Sequence, residues 1–161
     1  MASHFEVTPF VQEKKGKIRE LYNPTWEHKR ALKRLVKFLA KLESPSYITG
    51  GVSKRSYVSN VEIYKSNKYA IIIDISDFFP STYGNKVYNF FRRTLHQSSD
   101  IAKILKDLTT VQKDGKCFIP QGYPTSPILS FLAYYKMYEK LAKYAEVHGL
   151  SFSSKKLFPK S

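Results

Sequence analysis

Asp74 stands near the carboxyl end of Tyr69-Ala70-Ile71-Ile72-Ile73-Asp74-Ile75, a run rich in β-branched residues. The run reads as a strand buried on both faces, and a carboxylate at its end is costly unless a cation or hydrogen bonds compensate it. Mg²⁺ suits such an oxygen, because it takes oxygen ligands while keeping water and phosphates in its shell. Two such ions about 3.5–4 Å apart would serve phosphoryl transfer, one activating an attacking hydroxyl and one holding the leaving group. The plainer alternative is an aspartate that caps the following turn. That alternative fits Asp77 better, just before Phe78-Phe79-Pro80.

The second stretch with chemistry in it is Ile119-Pro120-Gln121-Gly122-Tyr123-Pro124-Thr125-Ser126-Pro127. Gln121 offers both a donor and an acceptor. Gly122 lets the backbone there approach a ligand closely. The remaining reactive types are sparse. His4, His28, His96 and His148 have no second ligand at metal spacing, which argues against zinc. The single cysteine, Cys117, excludes an internal disulfide, fits a reducing cytoplasm and reads as packing in a hairpin.

These residues need elements to hold them. Lys15-Gly16-Lys17 predicts the turn of an N-terminal hairpin. Asn23, Pro24 and Thr25 predict a helix start with Asn23 as cap and Pro24 at the first helical position. Trp26, Leu32, Leu35, Val36, Leu39 and Leu42 form its apolar stripe, and Pro45 its stop. Residues 46–68 are polar, with a break at Gly50-Gly51. After the aspartate strand come two short helices, lined by Val87, Phe90, Phe91 and Leu95 and then by Ile101, Ile104, Leu105 and Leu108. Asp114-Gly115 predicts a two-residue hairpin turn. One long helix is expected from about Ser126 to His148, with Ile128, Leu132, Tyr135, Tyr138, Ala142 and Ala145 on one face and Gly149 as its C-cap.

Composition narrows the partner. The 161 residues carry 27 Lys and Arg against 13 Asp and Glu, a net charge of +14. Such an excess points to a polyanion, of which nucleic acid is the commonest. A merely solvated basic surface is the alternative. No window reaches the roughly 20 apolar residues of a membrane span, and residues 1–10 show no secretory signal.

Together the aspartate run and the Pro-Gln-Gly-Tyr-Pro-Thr-Ser-Pro stretch resemble the first two palm motifs of reverse transcriptases of the bacterial retron and group II intron kind. The resemblance covers Lys14 to about His148. It implies an α+β fold, an incomplete right-hand polymerase with an antiparallel sheet packed on helices. Residues 1–68 would be a fingers-like segment, 69–150 a partial palm and 151–161 a tail. Asp74 would be the catalytic metal-binding acid, with the Ile75 carbonyl as a further Mg²⁺ contact. Asp77, Phe78 and Phe79 would meet the incoming nucleotide, with Phe79 excluding a 2′-hydroxyl. Gln121 and Gly122 would lie beside the nascent base pair.

Lys17 and Arg19, in Lys-Gly-Lys-Ile-Arg-Glu, and Lys54 and Arg55 resemble finger residues that meet triphosphate or template phosphates. Tyr64 departs from the histidine often found four residues after the position of Asn60. The implied partners are an RNA template, a DNA or RNA primer and dNTPs in the cytoplasm, in a retron or phage-defence setting, with no membrane. The third palm motif, Tyr-x-Asp-Asp, occurs nowhere in the sequence, and the thumb is missing too. Glu139 and Glu146 have no motif support as substitutes. Little or no polymerase activity is therefore expected of the chain alone, with weak or absent Mg²⁺ binding. The alternatives are a non-catalytic nucleic-acid- or partner-binding module derived from a palm, and an RNA-dependent RNA polymerase relative, against which Phe79 and the Pro-Gln-Gly run argue.

Overall fold

The structure is a computed structural model that describes residues 7–14, 16–43, 45–48 and 67–154. It mixes helices with two separate two-stranded antiparallel sheets. β1 (Pro9–Lys14) and β2 (Lys17–Tyr22) pair in continuous register from Pro9 opposite Tyr22 to Lys14 opposite Lys17. Gly16, at φ +69°, supplies the turn where the sequence placed it.

α1 (Trp26–Leu39) begins later than Asn23-Pro24 suggests. Thr25 is its cap, with Oγ1 accepting from the His28 amide at 3.4 Å. Pro24 stays outside the helix because the backbone just before it, at Tyr22, is tied elsewhere: its amide donates to the Gln121 carbonyl at 2.8 Å. Leu32 and Leu39 are buried as the stripe predicts, but Trp26 is 65% exposed, with the Arg30 guanidinium 4.7 Å from its ring. His28 takes the inward place instead, with Nε2 2.7 Å from the Leu108 carbonyl and its ring edge-on to Tyr123. The helix ends at Leu39, well before Pro45, where the Ala40 amide turns back to Phe38 and Val36.

α2 (Gly84–Asn89) runs into a single π-helical turn, Phe90–Thr94, that points Phe90 and Phe91 inward. α3 (Ser99–Thr109) is capped by the Ser98 hydroxyl. Its buried positions are Ala102 and Thr109, while Ile101 and Ile104 are exposed. The expected stripe followed the bulkiest residues. Leu105 and Leu108 of that stripe are half-buried against the two cores, so the inward face is turned by about one residue, toward Ala102 and Thr109. β3 (Val111–Lys113) and β4 (Lys116–Phe118) form the second hairpin. Asp114 and Gly115 both have positive φ, as a two-residue turn of mirror-image type requires.

The expected long helix is two helices, α4 (Ser126–Ala133) and α5 (Tyr135–Val147). Tyr134 breaks it, at φ −111° and ψ 13°, with its amide bonded to the Phe131 carbonyl in a tightened turn. Its hydroxyl donates to the Ser81 carbonyl at 3.1 Å and its ring packs on Phe78. That tertiary anchor overrides the helical propensity of the segment. Gly149, at φ +66°, closes α5 as expected.

The largest correction concerns residues 69–75. They form no strand, and Ile71, Ile72 and Ile73 are each more than 85% exposed. A strand needs neighbours for its N–H and C=O groups and cover for its faces. Among the described residues no strand pairs with this run, so its β propensity has nothing to act on.

The main core lies elsewhere, around Leu39, Phe91, Ile119, Ile128 and Leu129, all fully buried. Phe91→Ala is therefore expected to cost about 3–5 kcal/mol in urea denaturation. Ile72→Thr should stay within about 0.5 kcal/mol of the parent. A large loss from Ile72→Thr would show that the isoleucine run is packed after all.

Candidate nucleotide and nucleic-acid site

The Ile119–Pro127 stretch is fixed at three points. The Ile119 amide donates to the Thr82 carbonyl at 3.0 Å, and the Ser126 hydroxyl donates to the Pro120 carbonyl at 2.6 Å. The Gln121 carbonyl accepts the Tyr22 amide from the end of β2. At Gly122, φ is +105°, and a β-carbon would collide with the Tyr22 carbonyl oxygen. Glycine is thus demanded by the close approach of the protein's own backbone. The sequence reading assigned that freedom to nucleic acid, and the fold supplies an intramolecular reason for it.

Tyr22 is 4% exposed and anchors the junction further. Its hydroxyl donates to one carboxylate oxygen of Glu20, and the Lys113 ammonium donates to the other. These two donors hold the Glu20 carboxyl below its ordinary range, the lysine contributing more. Phe118 meets the Tyr22 ring edge-on at 6.3 Å. The first hairpin is thereby locked to the second. Tyr123 lies buried beside them, and its hydroxyl has no hydrogen-bond partner among the described residues. Burial pushes it up to about 12.

The Asp74–Phe79 segment is less completely held. Residues 76–81 are a turn, closed by the Ser81 amide on the Asp77 carbonyl at 2.9 Å and by the Thr82 hydroxyl on the Phe78 carbonyl at 2.7 Å. Asp77 adopts φ 47°, a left-handed conformation that aspartate tolerates better than most residues. Phe79 stacks on Phe78 at 6.4 Å and rests half-buried against the main core. Thr82 then links this turn to Ile119. The fold therefore ties Phe78 and Phe79 to the strand end that leads into Gln121 and Gly122. It leaves Asp74 and Ile75 upstream and exposed.

The basic finger residues are spread out. Lys17 opens β2, Arg19 lies exposed on it opposite Gln12, and Lys54 and Arg55 fall outside the described residues. Sequence reasoning did not single out Tyr22, Lys113 or Tyr134 as anchors. Tyr22 gives no signal beyond standing next to Asn23-Pro24, and Lys113 only its place beside the Asp114-Gly115 turn.

Mg²⁺ is the ion the resemblance implies. Among the described residues no three His, Cys, Asp or Glu side chains gather as ligands. One exposed carboxylate at Asp74 does not offset the ion's reluctance to dehydrate. The described residues do not by themselves make a Mg²⁺ site.

The chain mixes α and β structure and links these two segments, and comparison with known proteins shows what it is similar to. No family model matches. The chain is 31% identical over 154 residues to the retron Ec86 reverse transcriptase of Escherichia coli, covering 92% of this chain and 46% of that protein. It is 28% identical over 141 residues to the retron Se72 reverse transcriptase of Salmonella heidelberg, covering 87% and 36%. The retron Ec73 reverse transcriptase of Escherichia coli matches at 28% over 140 residues, covering 83% and 44%. Over most of its length the chain is a retron-type reverse transcriptase homologue, and it spans between about a third and a half of those relatives. Among the described residues, no helix is long and apolar enough to cross a membrane.

The junction at Gly122 is directly testable. Gly122→Ala combines a strained φ with a backbone collision and is expected to cost at least about 2 kcal/mol in urea denaturation. Gly16→Ala, where a β-carbon meets open space, should cost only about 1 kcal/mol. Equal losses at the two sites would remove the close approach to Tyr22 as the reason for the glycine.

Proposed function

We propose that this chain is the fingers and incomplete palm of a retron-type reverse transcriptase, a unit of RNA-templated DNA synthesis by nucleotidyl transfer, acting in the cytoplasm in a retron or phage-defence role. The observation that carries the reading is the similarity to retron reverse transcriptases along 92% of the chain, through both the Asp74–Phe79 and the Gln121–Gly122 segments. The hydrogen bond between Thr82 and Ile119, which joins those segments, supports it. In this reading Phe79 presents its ring beneath the incoming sugar and selects deoxynucleotides. Gln121 and Gly122 border the new base pair, and Asp77 and Phe78 shape the turn that meets the triphosphate. Lys17, Arg19, Lys54 and Arg55 bind template or triphosphate charge. Asp74 is the acid of the reacting centre, and the chain alone is weak or inactive because its carboxylate stands without a partner acid.

A non-catalytic nucleic-acid-binding module derived from a palm is the second reading. The exposure of Asp74 outside any strand favours it. Primed RNA supplied with dNTPs and Mg²⁺ distinguishes the two. The chain is expected to bind the primed RNA and to extend it no faster than its Asp74→Asn variant. Millimolar Mg²⁺ should leave the melting temperature of both proteins unchanged, since an ion stabilises a fold only well above its dissociation constant. Robust extension that depends on Asp74, or a Mg²⁺-dependent rise in melting temperature lost in Asp74→Asn, would show that another acid completes the site. Failure to bind primed RNA at all would overturn the reverse-transcriptase reading itself.

A further inference from the structure

Away from the residues assigned to synthesis, the face built by α2, its π turn, α3 and the second hairpin carries two adjoining clefts. One, of about 580 Å³, is lined by Tyr83, Asn85, Tyr88, Lys103, Lys106 and Lys116 among others. The other, of about 530 Å³, is lined by Tyr88, Asn89, Arg92, Arg93 and His96. Tyr88 borders both, so they form one track. No Asp or Glu lines either cleft.

The charge along this track is largely uncompensated. Residues 83–118 contain seven Lys and Arg against three Asp. Of those acids, Asp107 holds the Lys106 ammonium at 2.6 Å. Among the described residues, Lys103, Lys116, Arg92 and Arg93 pair with no carboxylate. Arg92 lends one N–H to the Gln97 carbonyl at 3.2 Å and keeps the rest of its fork exposed. The remaining lining is amide and aromatic. Tyr83 is 47% exposed, an open ring beside the lysines.

Cations interleaved with aromatic and amide side chains along a groove match a single nucleic-acid strand. Phosphates meet the cations, and unstacked bases find a ring face. Asn85, Tyr88, Asn89, Arg92 and His96 recur at helical spacing along α2 and the turn that follows. Along the helical part, Asn85 to Arg92 spans about 10 Å, room for roughly three phosphates at the spacing of a helical strand.

We propose that this track is a second nucleic-acid contact, holding single-stranded RNA by its phosphate backbone with Tyr83 as a stacking platform. The choice of RNA rests on the reading under Proposed function. The site does not, because it shares no residue with Asp74, Phe79, Gln121 or the first hairpin.

The test is binding of a labelled oligouridylate, followed by fluorescence anisotropy across a KCl series. Replacing Arg92, Arg93, Lys103 and Lys116 by Gln together should weaken binding at least about tenfold at moderate salt. It should also flatten the plot of log affinity against log salt by about 2–3, the change expected for four phosphates on a single strand. Tyr83→Ala should weaken binding severalfold with the slope unchanged. Melting temperatures of the variants establish that the fold persists, and separate Arg92→Gln and Lys116→Gln changes serve if the fourfold variant unfolds. Parental affinity and slope in the folded track variants would overturn the proposal. Binding abolished by Lys17→Gln with Arg19→Gln but untouched by the track variants would also overturn it, and would leave the reverse-transcriptase reading standing. No binding by the parent chain would overturn both.

Discussion

The approach of Gln121 and Gly122 to Tyr22 is the constraint on which the arrangement of this chain depends. One backbone hydrogen bond and one missing β-carbon join the first hairpin to the loop that opens α4. Around that contact, Glu20 and Lys113 cross-link the two hairpins, while Tyr22, Leu32, Val111 and Tyr123 build a small core of their own. The larger core around Phe91 and Ile128 packs the helices. Thr82 connects it to the junction through Ile119, so the turn at Phe78-Phe79 is positioned by the same loop. A side chain on residue 122 would push apart the two parts that the proposed site needs together.

Much of this was legible in the sequence where local chemistry decides the backbone. Gly16, Asp114-Gly115 and Gly149 each sit where positive φ is needed, and each marks the turn or cap that its residue type announces. The resemblance to reverse transcriptases was legible through the Asp74–Phe79 and Ile119–Pro127 segments, and the relatives that the chain matches are retron reverse transcriptases. What the sequence hid are contacts made at a distance. Tyr134 breaks a continuous helical pattern because its hydroxyl and ring find Ser81 and Phe78. His28 displaces Trp26 from the inner face because Leu108 offers it a carbonyl. On α3 the packing of Leu105 and Leu108 turns Ala102 and Thr109 inward and leaves Ile101 and Ile104 exposed.

The isoleucine run is the most informative departure. Its composition describes a strand buried on both faces, yet it lies exposed with Asp74 near its end. The propensity belongs to the run itself, and the strand it describes belongs to a sheet. Pairing partners for 69–75 are not found among the described residues. Without such pairing, Asp74 stands apart from the junction that holds Phe79 and Gln121. An exposed carboxylate that no strand pairing holds is not preorganised for charge that develops in a transition state.

Amide hydrogen exchange on the chain alone tests this account most directly. The Tyr22 amide, bonded to Gln121 inside the junction, should be strongly protected. The amides of Ile71, Ile72, Ile73 and Asp74 should exchange at rates close to those of an unstructured peptide. Protection of Ile71–Asp74 matching that of Tyr22 would mean that the aspartate strand is formed and paired, and would contradict the claim that the palm is incomplete.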